Sequence, residues 1–329
     1  MSISVIASNF NGAKYLPRLL ETLFAQRDVV LEIIVVDRNS IDGSDEILAQ
    51  YPTVKVVKEP PESGLVAGYA AGVPYAQHDN LFFCNEDMWF HDKCLYALET
   101  AIDLRNGICA ADPWQWTYDT KVWIHGGVRF QPARMNVGGA FVFRRYNFTA
   151  PLANGERTAF CCAGAMLIAR SAYKGIGGWD RSFFLDQEDV DLFIRAWQAG
   201  WRCATVPDAR VYHAVNVSNK KELQSGRIKV SKRRYISGSS SILVMAVKYF
   251  TKRQIFIRIV LHWCLVLYRL LRLRVEEALW DIEGFAEFLR RLKGALRYRN
   301  KYLRLNRGRT GEMFFLDESL QDHGSAKLP

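Results

Sequence analysis

The chain opens with short apolar runs that alternate with polar turns and with leucines at helical spacing. Residues 3–7 form an apolar run that the polar segment 8–12 closes. The spacing of a helix then follows, at Leu16, Leu19, Leu20 and Leu23. Residues 31–37 form a second, β-branched run, which is followed by a turn, another helix and a third run over residues 54–57. This alternation predicts an α/β fold with a mostly parallel, Rossmann-like sheet flanked by helices.

Polar residues at the ends of these strands are candidate site residues, because ligands bind at the carboxyl ends of strands in such sheets. Asp37 ends one strand, and Asn85, Glu86 and Asp87 follow the apolar run 81–84. The Gly-rich phosphate-binding patterns G-x-G-x-x-G and G-x-x-x-x-G-K-[ST] do not occur. A bound diphosphate would then need a divalent cation held by strand-end carboxylates, with Asp87 as the leading ligand. An ordinary acidic surface turn is the alternative.

Glycines mark two further places where another group could approach the backbone closely. Gly64, Gly68 and Gly72 recur every four residues, which is the spacing of a helix face that packs tightly against a neighbour. Gly164 lies within the apolar run 160–170, at a position where a side chain would obstruct a ligand.

Four carboxylates fall between Asp186 and Asp191, immediately before a predicted helix. The helix dipole favours acidic residues there and accounts for one or two of them. A carboxylate that accepts hydrogen bonds from amides at this position stays ionised at neutral pH, which suits a general base. A lone histidine, His213, ends the later apolar run 203–213, where it is either structural or a metal ligand.

Taken in order, these segments resemble family 2 glycosyltransferases of the GT-A fold, and especially bacterial rhamnosyltransferase-like enzymes of surface polysaccharide assembly. The resemblance covers about residues 2–218. It is carried by Ser-Asn-Phe-Asn-Gly, Val-Val-Asp-Arg-Asn-Ser-Ile-Asp-Gly-Ser, Asn-Glu-Asp, and Gly-Gly-Trp-Asp followed by Gln-Glu-Asp-Val-Asp-Leu. It implies an inverting, metal-dependent transfer of a sugar, with dTDP-rhamnose as the expected nucleotide diphosphate donor. The implied acceptor is a glycan or a lipid-linked sugar.

The resemblance also implies roles for individual residues. The donor would contact Asn9, Asp37, Asp42, Gly64, Gly68, Asn85 and Gly164. Asn85-Glu86-Asp87 stands where the family has its D-x-D motif, so Asp87 would bind Mn²⁺ or Mg²⁺ together with His213, although Asn replaces the first Asp. Asp189 matches the catalytic base. Glu188 would contact the acceptor. Independently of the resemblance, the aromatic segment 112–118 offers Trp114 and Trp116 as rings that would stack on the acceptor, and aromatic packing is the alternative for them.

Composition excludes several other classes of protein. The chain has 329 residues, 49% of them apolar and 24% charged, which excludes intrinsic disorder and collagen-like repeats. Its seven cysteines contain no C-x-x-C pair, so we expect unpaired thiols in a reducing compartment rather than a disulfide framework or a zinc site. The first residues lack the pattern of an export signal. The uncharged apolar stretch 259–268 is about half the length of a bilayer span, so the sequence predicts no such span.

The net charge of +10 is unevenly distributed along the chain. Residues 1–218 carry 20 basic and 24 acidic side chains, residues 219–310 carry 23 and 6, and residues 311–329 carry 1 and 4. We therefore expect a catalytic domain over 1–218, a basic helical region over 219–310 and a flexible tail over 311–329.

The basic region shows helical amphipathicity. One polar stripe contains Thr251, Gln254, Arg258, His262, Arg269 and Arg272, and most of the remaining surface is apolar. Residues 275–301 repeat the pattern. A basic amphipathic pair indicates that a cytoplasmic protein attaches to anionic lipid on the inner face of the plasma membrane. A helical region that packs on the catalytic domain or forms a homo-oligomer is the alternative. A nucleic-acid-binding protein and a non-catalytic donor-binding protein are the other functions considered, and we expect no nucleic-acid partner.

Overall fold

The computed structural model describes residues 1–119, 123–130, 143–145, 157–214 and 231–305. The expected tail over 311–329 lies outside these residues. The strands are β1 (Ser2–Asn9), β2 (Val30–Asp37), β3 (Lys55–Lys58), β4 (Asn80–Asn85), β5 (Met88–Phe90), β6 (Ile108–Thr117), β7 (Trp123–His125), β8 (Val128–Phe130), β9 (Phe143–Arg145), β10 (Arg157–Thr158), β11 (Ala165–Ala169) and β12 (Arg202–His213). The helices are α1 (Leu16–Phe24), α2 (Ser44–Leu48), α3 (Gly64–Gly72), α4 (Cys94–Thr100), α5 (Arg170–Gly175), α6 (Glu188–Gln198), α7 (Lys232–Tyr249), α8 (Lys252–Leu271) and α9 (Val275–Leu305).

One large sheet organises the catalytic part of the chain. Its main strand order is β10-β12-β6-β11-β4-β1-β2-β3, with β5 paired to β12 and β7 paired to β6. Strand β1 runs parallel to β2 and β4, and β6 runs parallel to β12. Strand β11 lies between β4 and β6 and is antiparallel to both. The predicted α/β class is confirmed, and the sheet is mixed rather than mostly parallel.

Alternate residues of the strands supply two cores, one on each face of the sheet, as a side-chain period of two requires. On β4, Phe82 packs with the leucines of α1 and with α4, whereas Phe83 packs toward α3, α5 and α6. The second core extends into the C-terminal helices through Val244 of α7 and Phe288 of α9. The C-terminal helices are therefore continuous with the hydrophobic core on that face of the sheet.

Helices α8 and α9 form an antiparallel hairpin that three residues connect. Arg269 of α8 contacts Asp281 of α9 at 2.6 Å, and further from the turn the rings of Trp263 and Phe285 lie 5.1 Å apart. The seven cysteines are free thiols, and five of them are buried. Among the described residues, α8 is the one helix whose length and composition would allow it to cross a membrane. The uncharged stretch 259–268 is shorter than α8, because the 20 residues of the helix also include Arg258 and Arg269. Counting uncharged residues therefore underestimated the length of the helix.

Candidate active site

The carboxyl ends of β1 and β2 hold a buried polar cluster. The Asn9 side-chain amide donates to Asp37 Oδ1 at 2.7 Å, and the Ser40 hydroxyl donates to the same oxygen at 2.6 Å. Lys58 Nζ donates to Asp37 Oδ2 at 3.0 Å. Burial by itself would raise the pKa of the Asp37 carboxyl, but the hydrogen bonds from Ser40, Lys58 and Asn9 hold the pKa below its ordinary value. Asp37 is therefore a fixed anion at the floor of this end of the sheet.

Asp42 lies at the exposed rim of the same cluster and connects two loops. One of its carboxylate oxygens accepts from the Ala13 backbone N–H at 2.8 Å, and the other accepts from the Ser44 hydroxyl at 2.6 Å. Asn11 makes a second connection, because its side chain accepts from the Ile41 N–H at 3.0 Å. These bonds hold the segment after β1 against the segment after β2, beside Asn9 and Asp37.

Sequence reasoning missed Arg38, which lies immediately after Asp37 and is buried. Its guanidinium stacks over the Phe10 ring, with its central carbon 4.9 Å from the ring centroid. Burial lowers the pKa of Arg38, while the charges of Glu86 and Asp37 partly oppose that shift. Glu86, in the middle of the Asn-Glu-Asp segment, is partly buried, and this burial together with the charge of Asp87 raises its pKa to about 7. An arginine that follows a strand gives no signal by itself, since its burial arises only from the tertiary fold.

Tyr69 joins the end of β4 to the glycine-containing segment before β11. Its hydroxyl donates to Asn85 Oδ1 at 2.7 Å and contacts the Ala163 carbonyl oxygen at 2.9 Å. The Asn85 N–H donates to the Gly164 carbonyl, and a Cβ on Gly164 would come within 2.7 Å of the Met88 side chain. Asn85 and Gly164 are therefore neighbours, as their shared assignment to the donor site requires. Sequence reasoning also missed Tyr69, because an aromatic residue in an apolar helix resembles an ordinary core residue.

The glycines of α3 lie where backbones approach closely. A Cβ on Gly68 would meet the Ser8 hydroxyl at 2.6 Å, so this glycine lets α3 pack against β1. Gly64 has a φ of +81°, and a Cβ there would meet Phe184. Tight packing, the first interpretation of their spacing, is what these contacts show. Contact of Gly64 and Gly68 with a donor stays a prediction.

The two predicted metal ligands lie side by side. Strand β5 pairs with the end of β12, and this pairing brings His213 Nε2 to 3.1 Å from Asp87 Oδ1. Both side chains are partly accessible to solvent. Among the described residues, no group of three His, Cys, Asp or Glu side chains is gathered as a complete protein-built metal site. A cation here would therefore need ligands from the substrate or from water in addition to this pair.

The acidic cluster divides into residues with different surroundings. Asp191 is fully buried and forms ion pairs with Lys248 and Arg195, so it is structural. Glu188 is buried at the start of α6, and burial together with the neighbouring charge of Asp189 raises its pKa well above the ordinary value. Asp189 is only partly buried and accepts from the Val190 N–H at 2.8 Å. The pair thus combines a carboxyl whose environment favours the neutral form with a neighbour that is partly accessible to solvent.

The loop before α6 has an unusual backbone and is held by α7. Asp186 and Gln187 have φ values of +68° and +73°, which are costly for residues other than glycine. The Asp186 carboxylate contacts Arg234 Nη2 at 3.2 Å, and the Ser237 hydroxyl donates to the Leu185 carbonyl at 3.1 Å. Helix α7 therefore fixes the segment that leads directly into Glu188 and Asp189.

Trp114 and Trp116 lie two positions apart on β6, and both are partly exposed. The Trp114 ring lies 5.0 Å from the Trp123 ring, so packing accounts for part of its surface. Contact of either tryptophan with an acceptor stays a prediction.

Beside these tryptophans lies a pair that the sequence did not indicate. His125 Nε2 is 2.6 Å from Asp112 Oδ2, both side chains are buried, and the other Asp112 oxygen accepts from the Cys162 N–H at 3.1 Å. Burial, together with the charges of Asp189 and Asp112, raises the pKa of the Cys162 thiol to about 12. Cys162 therefore lies near charged side chains of both β6 and α6, namely Asp112 and Asp189.

Solved structures place the fold in the GT-A class. GalNAc-T7 with UDP, GalNAc and Mn²⁺ superposes with a TM-score of 0.57 at 17% identity, covering 77% of this chain and 48% of that chain. The mannosyltransferase PcManGT from Pyrobaculum calidifontis, in complex with GDP-Man and Mn²⁺, gives a TM-score of 0.53 at 14% identity, covering 97% of this chain and 86% of that one. At these identities the likeness establishes the fold alone, and this chain spans about half the length of GalNAc-T7.

The sequence comparisons establish the family. The model described as Glycosyl transferase family 2 matches residues 4–177, which is more than half of the chain, and Glycosyl transferase family group 2 matches residues 131–281. The chain belongs to glycosyl transferase family 2 and is a glycosyltransferase. The N-acetylglucosaminyl-diphospho-decaprenol L-rhamnosyltransferase of Mycobacterium tuberculosis is 28% identical over 236 residues, which cover 64% of this chain and 75% of the relative. The chain is thus rhamnosyltransferase-like, as its motifs predict.

Proposed function

We propose that this protein is an inverting glycosyltransferase that moves L-rhamnose from dTDP-rhamnose to a lipid-linked sugar during surface polysaccharide synthesis. The observation that carries the proposal is the contact between His213 and Asp87 in a chain of this family. The pair lies at the carboxyl ends of the strands, the same end of the sheet as Asn9 and Asp37. The sugar and the lipid-linked acceptor follow from the M. tuberculosis relative, whose name specifies both. Because such an acceptor resides in a bilayer, the protein would act at the inner face of the plasma membrane.

The donor would lie across the carboxyl ends of β1, β2 and β4. Asn9, Asp37 and Asp42 would face the nucleoside, and Asn85 and Gly164 would border the diphosphate. Asp87 would supply a carboxylate oxygen, which suits Mn²⁺ or Mg²⁺, and His213 would supply an imidazole nitrogen, which Mg²⁺ accepts less readily than Mn²⁺. When bound, the cation would offset the negative charge that develops on the departing diphosphate.

Asp189 would act as the general base. It would accept the proton of an acceptor hydroxyl while that oxygen bonds to the anomeric carbon and the carbon–oxygen bond to the diphosphate breaks, its electron pair leaving with the nucleotide. Attack from the face opposite the leaving group inverts the anomeric centre in one step. Glu188, whose raised pKa favours the neutral form, would be a hydrogen-bond donor toward the acceptor and would leave the negative charge of the pair on Asp189.

Release of nucleoside diphosphate from a panel of nucleotide sugars, measured with Mn²⁺, Mg²⁺ or EDTA and a lipid-linked acceptor, tests the proposal. We expect turnover from dTDP-rhamnose with a cation and none in EDTA. Turnover of a different sugar only would replace the proposed donor. Donor binding without turnover across the whole panel would support a non-catalytic nucleotide-sugar-binding protein instead.

The assignment of the base has its own test. We expect Asp189→Asn to lower kcat about a thousandfold, because general-base catalysis is lost while the amide keeps the size of the side chain. Donor affinity should stay within about twofold of that of the unaltered protein, since Asp189 faces the acceptor side. Asp208→Asn, which alters an exposed carboxylate on β12, is the matched control. Unchanged turnover in Asp189→Asn would exclude this residue as the base.

A further inference from the structure

Helix α8 has its polar side turned inward. Gln254 and His262 are buried, and Arg269 donates to the Tyr235 hydroxyl of α7 and to Asp281 of α9, each at 2.6 Å. The polar stripe that the sequence showed thus packs against the two neighbouring helices. A helix on the surface of a water-soluble domain has the opposite arrangement, with its apolar side inward.

The apolar side of α8 consequently faces outward. The centre of this face contains Phe256, Leu267 and Leu271, whose residues are 68%, 58% and 75% exposed. Their neighbours on the same face are Val260, Leu261, Trp263, Cys264, Tyr268 and Leu270. Single exposed leucines are normal on protein surfaces, but a continuous apolar face from Phe256 to Leu271 marks an interaction surface.

Helix α9 extends this surface and adds positive charge to it. Val275, Leu279 and Ile282 form an exposed apolar stripe on its first turns. Further along the helix the same stripe carries exposed Lys293 and Arg297. The apolar surface of the hairpin is therefore bordered by basic side chains, in a region that carries 23 basic and 6 acidic residues between positions 219 and 310.

We infer that the outward face of α8, with the apolar stripe of α9, inserts into one leaflet of an anionic bilayer, with the helix axes in the membrane plane. This inference rests on the proposed function, because it supplies the bilayer in which a lipid-linked acceptor would reside. Apolar side chains enter the acyl boundary, and the bordering lysines and arginines contact anionic headgroups.

The contacts of the polar stripe exclude a transmembrane arrangement of α8. Its 20 residues would reach about 30 Å, which is long enough to span. A spanning α8 would have to leave Asp281 and Tyr235, or carry the charged helices α7 and α9 into the hydrocarbon with it. Helix α7 is fixed to the catalytic part of the chain through Lys248 and Asp191. Insertion of the outward face alone keeps all of these contacts.

Charge favours lipid over a second copy of the chain as the partner of this face. A symmetric dimer would bring the basic borders of two identical hairpins together, and like charges across an interface oppose association. An anionic membrane offers apolar material to the centre of the face and negative charge to its border. Both properties of the face then have a matching partner.

Cys264 allows a direct test, because it lies on the proposed insertion face and is the only exposed one of the seven cysteines. An environment-sensitive fluorophore on Cys264 of the full-length protein would be mixed with vesicles of phosphatidylcholine and phosphatidylglycerol, or of phosphatidylcholine alone. We expect a blue shift with the mixed vesicles and quenching by lipids that carry a nitroxide on the acyl chain. A Cys264→Ser protein gives the labelling background.

Two variants complete the test. We expect Leu267→Gln with Leu271→Gln to lower the vesicle partition coefficient about tenfold or more, because two exposed apolar side chains no longer favour insertion. Val30→Gln changes an exposed apolar residue at the opposite end of the sheet from the candidate site and should bind vesicles normally. Circular dichroism and donor binding would show that each variant is folded.

Three outcomes would overturn the inference: an unquenched label, vesicle binding that the double variant does not weaken, or a lipid-free dimer that the double variant dissociates. The assay uses neither donor nor acceptor. Vesicle binding without sugar transfer would therefore contradict the proposed function alone, and transfer to a water-soluble acceptor without vesicle binding would contradict this inference alone.

Discussion

At the scale of single residues, the meeting of Asp87 and His213 is the feature with the clearest chemical meaning. The two side chains are far apart in the chain, and the pairing of His213 with Met88 sets their distance of 3.1 Å. No group of three ligand-type side chains is gathered among the described residues, so loss of either member of this pair should leave too few protein ligands to hold a cation.

We expect Asp87→Ala and His213→Ala each to weaken the Mn²⁺-dependent binding of a nucleoside diphosphate by about tenfold or more, since even partners outside the ligand set contribute that much to metal affinity. Titration calorimetry with Mn²⁺ and with EDTA measures the effect. In EDTA, the affinities of the variants and of the unaltered protein should converge.

Asp79→Ala provides the matched control, because Asp79 is an exposed carboxylate beside the opposite end of β4. It should bind the nucleotide with normal affinity and normal Mn²⁺ dependence. If Asp87→Ala kept the full response to Mn²⁺, the assignment of a ligand role to Asp87 would be wrong.

Which site residues the sequence could indicate depends on what holds them in place. The positions of Asp37 and Asp87 at or just after strand ends, and of Asp189 at the start of a helix, were predictable because they are visible in the local pattern, whereas their roles stay predictions. Arg38 and Tyr69 were not, since a buried guanidinium over Phe10 and a hydroxyl bonded to Asn85 exist only after strands and helices have packed. For the same reason the sequence could not separate structural Asp191 from its neighbours.

At the scale of elements, the loop before α6 has a strained backbone conformation, and contacts from α7 hold it in place. Residues in the left-handed region cost about 1–3 kcal/mol each and persist where surrounding contacts determine them. Here those contacts are Arg234 on Asp186, Ser237 on the Leu185 carbonyl, and the Leu65 N–H on the Phe184 carbonyl at 3.0 Å. The position of Asp189 therefore depends on a helix outside the sheet.

We expect Arg234→Ala to lower kcat about tenfold while donor affinity and the free energy of unfolding stay nearly constant. Small displacements of a catalytic group reduce turnover strongly, whereas a half-exposed ion pair contributes about 1 kcal/mol or less to stability. Steady-state kinetics, donor titration and chemical denaturation measure the three quantities.

Arg234→Lys should restore part of the turnover, because the charge opposite Asp186 returns. Lys232 lies on the same helix as Arg234 and forms an exposed ion pair with Glu283 of α9. Lys232→Ala removes this pair and should leave kcat unchanged. Equal turnover by Arg234→Ala and the unaltered protein would show that Arg234 does not position the base.

Element direction and orientation were harder to predict from sequence than element type. Apolar periodicity located β1, β2, β4 and β12, but it does not report direction, so the antiparallel insertion of β11 between β4 and β6 was missed. Periodicity likewise revealed the polar stripe of α8 without showing that Gln254 and His262 face inward. Both features depend on contacts between elements that are distant in the chain.

At the scale of the whole molecule, a buried ionic network joins the basic helices to the catalytic part. Lys248 of α7 is 1% exposed and contacts both Asp191 of α6 and, at 2.8 Å, Asp180. The Tyr249 hydroxyl donates to Asp191 at 2.7 Å, and Arg195 pairs with the same carboxylate. The change in charge near residue 219 is therefore a boundary of composition, while α7 and α6 share one core. Removing the chain beyond residue 240 would leave Asp191 without Lys248, so such a truncation should destabilise the catalytic part as well as remove the proposed membrane surface.

Replacing Lys248 tests this coupling directly. We expect Lys248→Met, which keeps most of the length of the side chain, to lower the free energy of unfolding by about 3 kcal/mol at neutral pH, because it leaves the buried Asp191 and the partly buried Asp180 without their lysine partner. Burial would raise the pKa of Asp180, but Lys248 holds it well below its ordinary value of 3.8. A depressed pKa contributes stability above the pKa of the unfolded state, and this contribution is lost as the pH falls toward the folded value. The stability difference between the two proteins should therefore shrink below about pH 4.

Denaturant titrations at neutral and acid pH measure both effects. Lys232→Ala is the exposed control and is expected to cost less than about 1 kcal/mol. A difference that stays constant with pH would show that the loss of packing, rather than of the ion pair with Asp180, destabilises the variant.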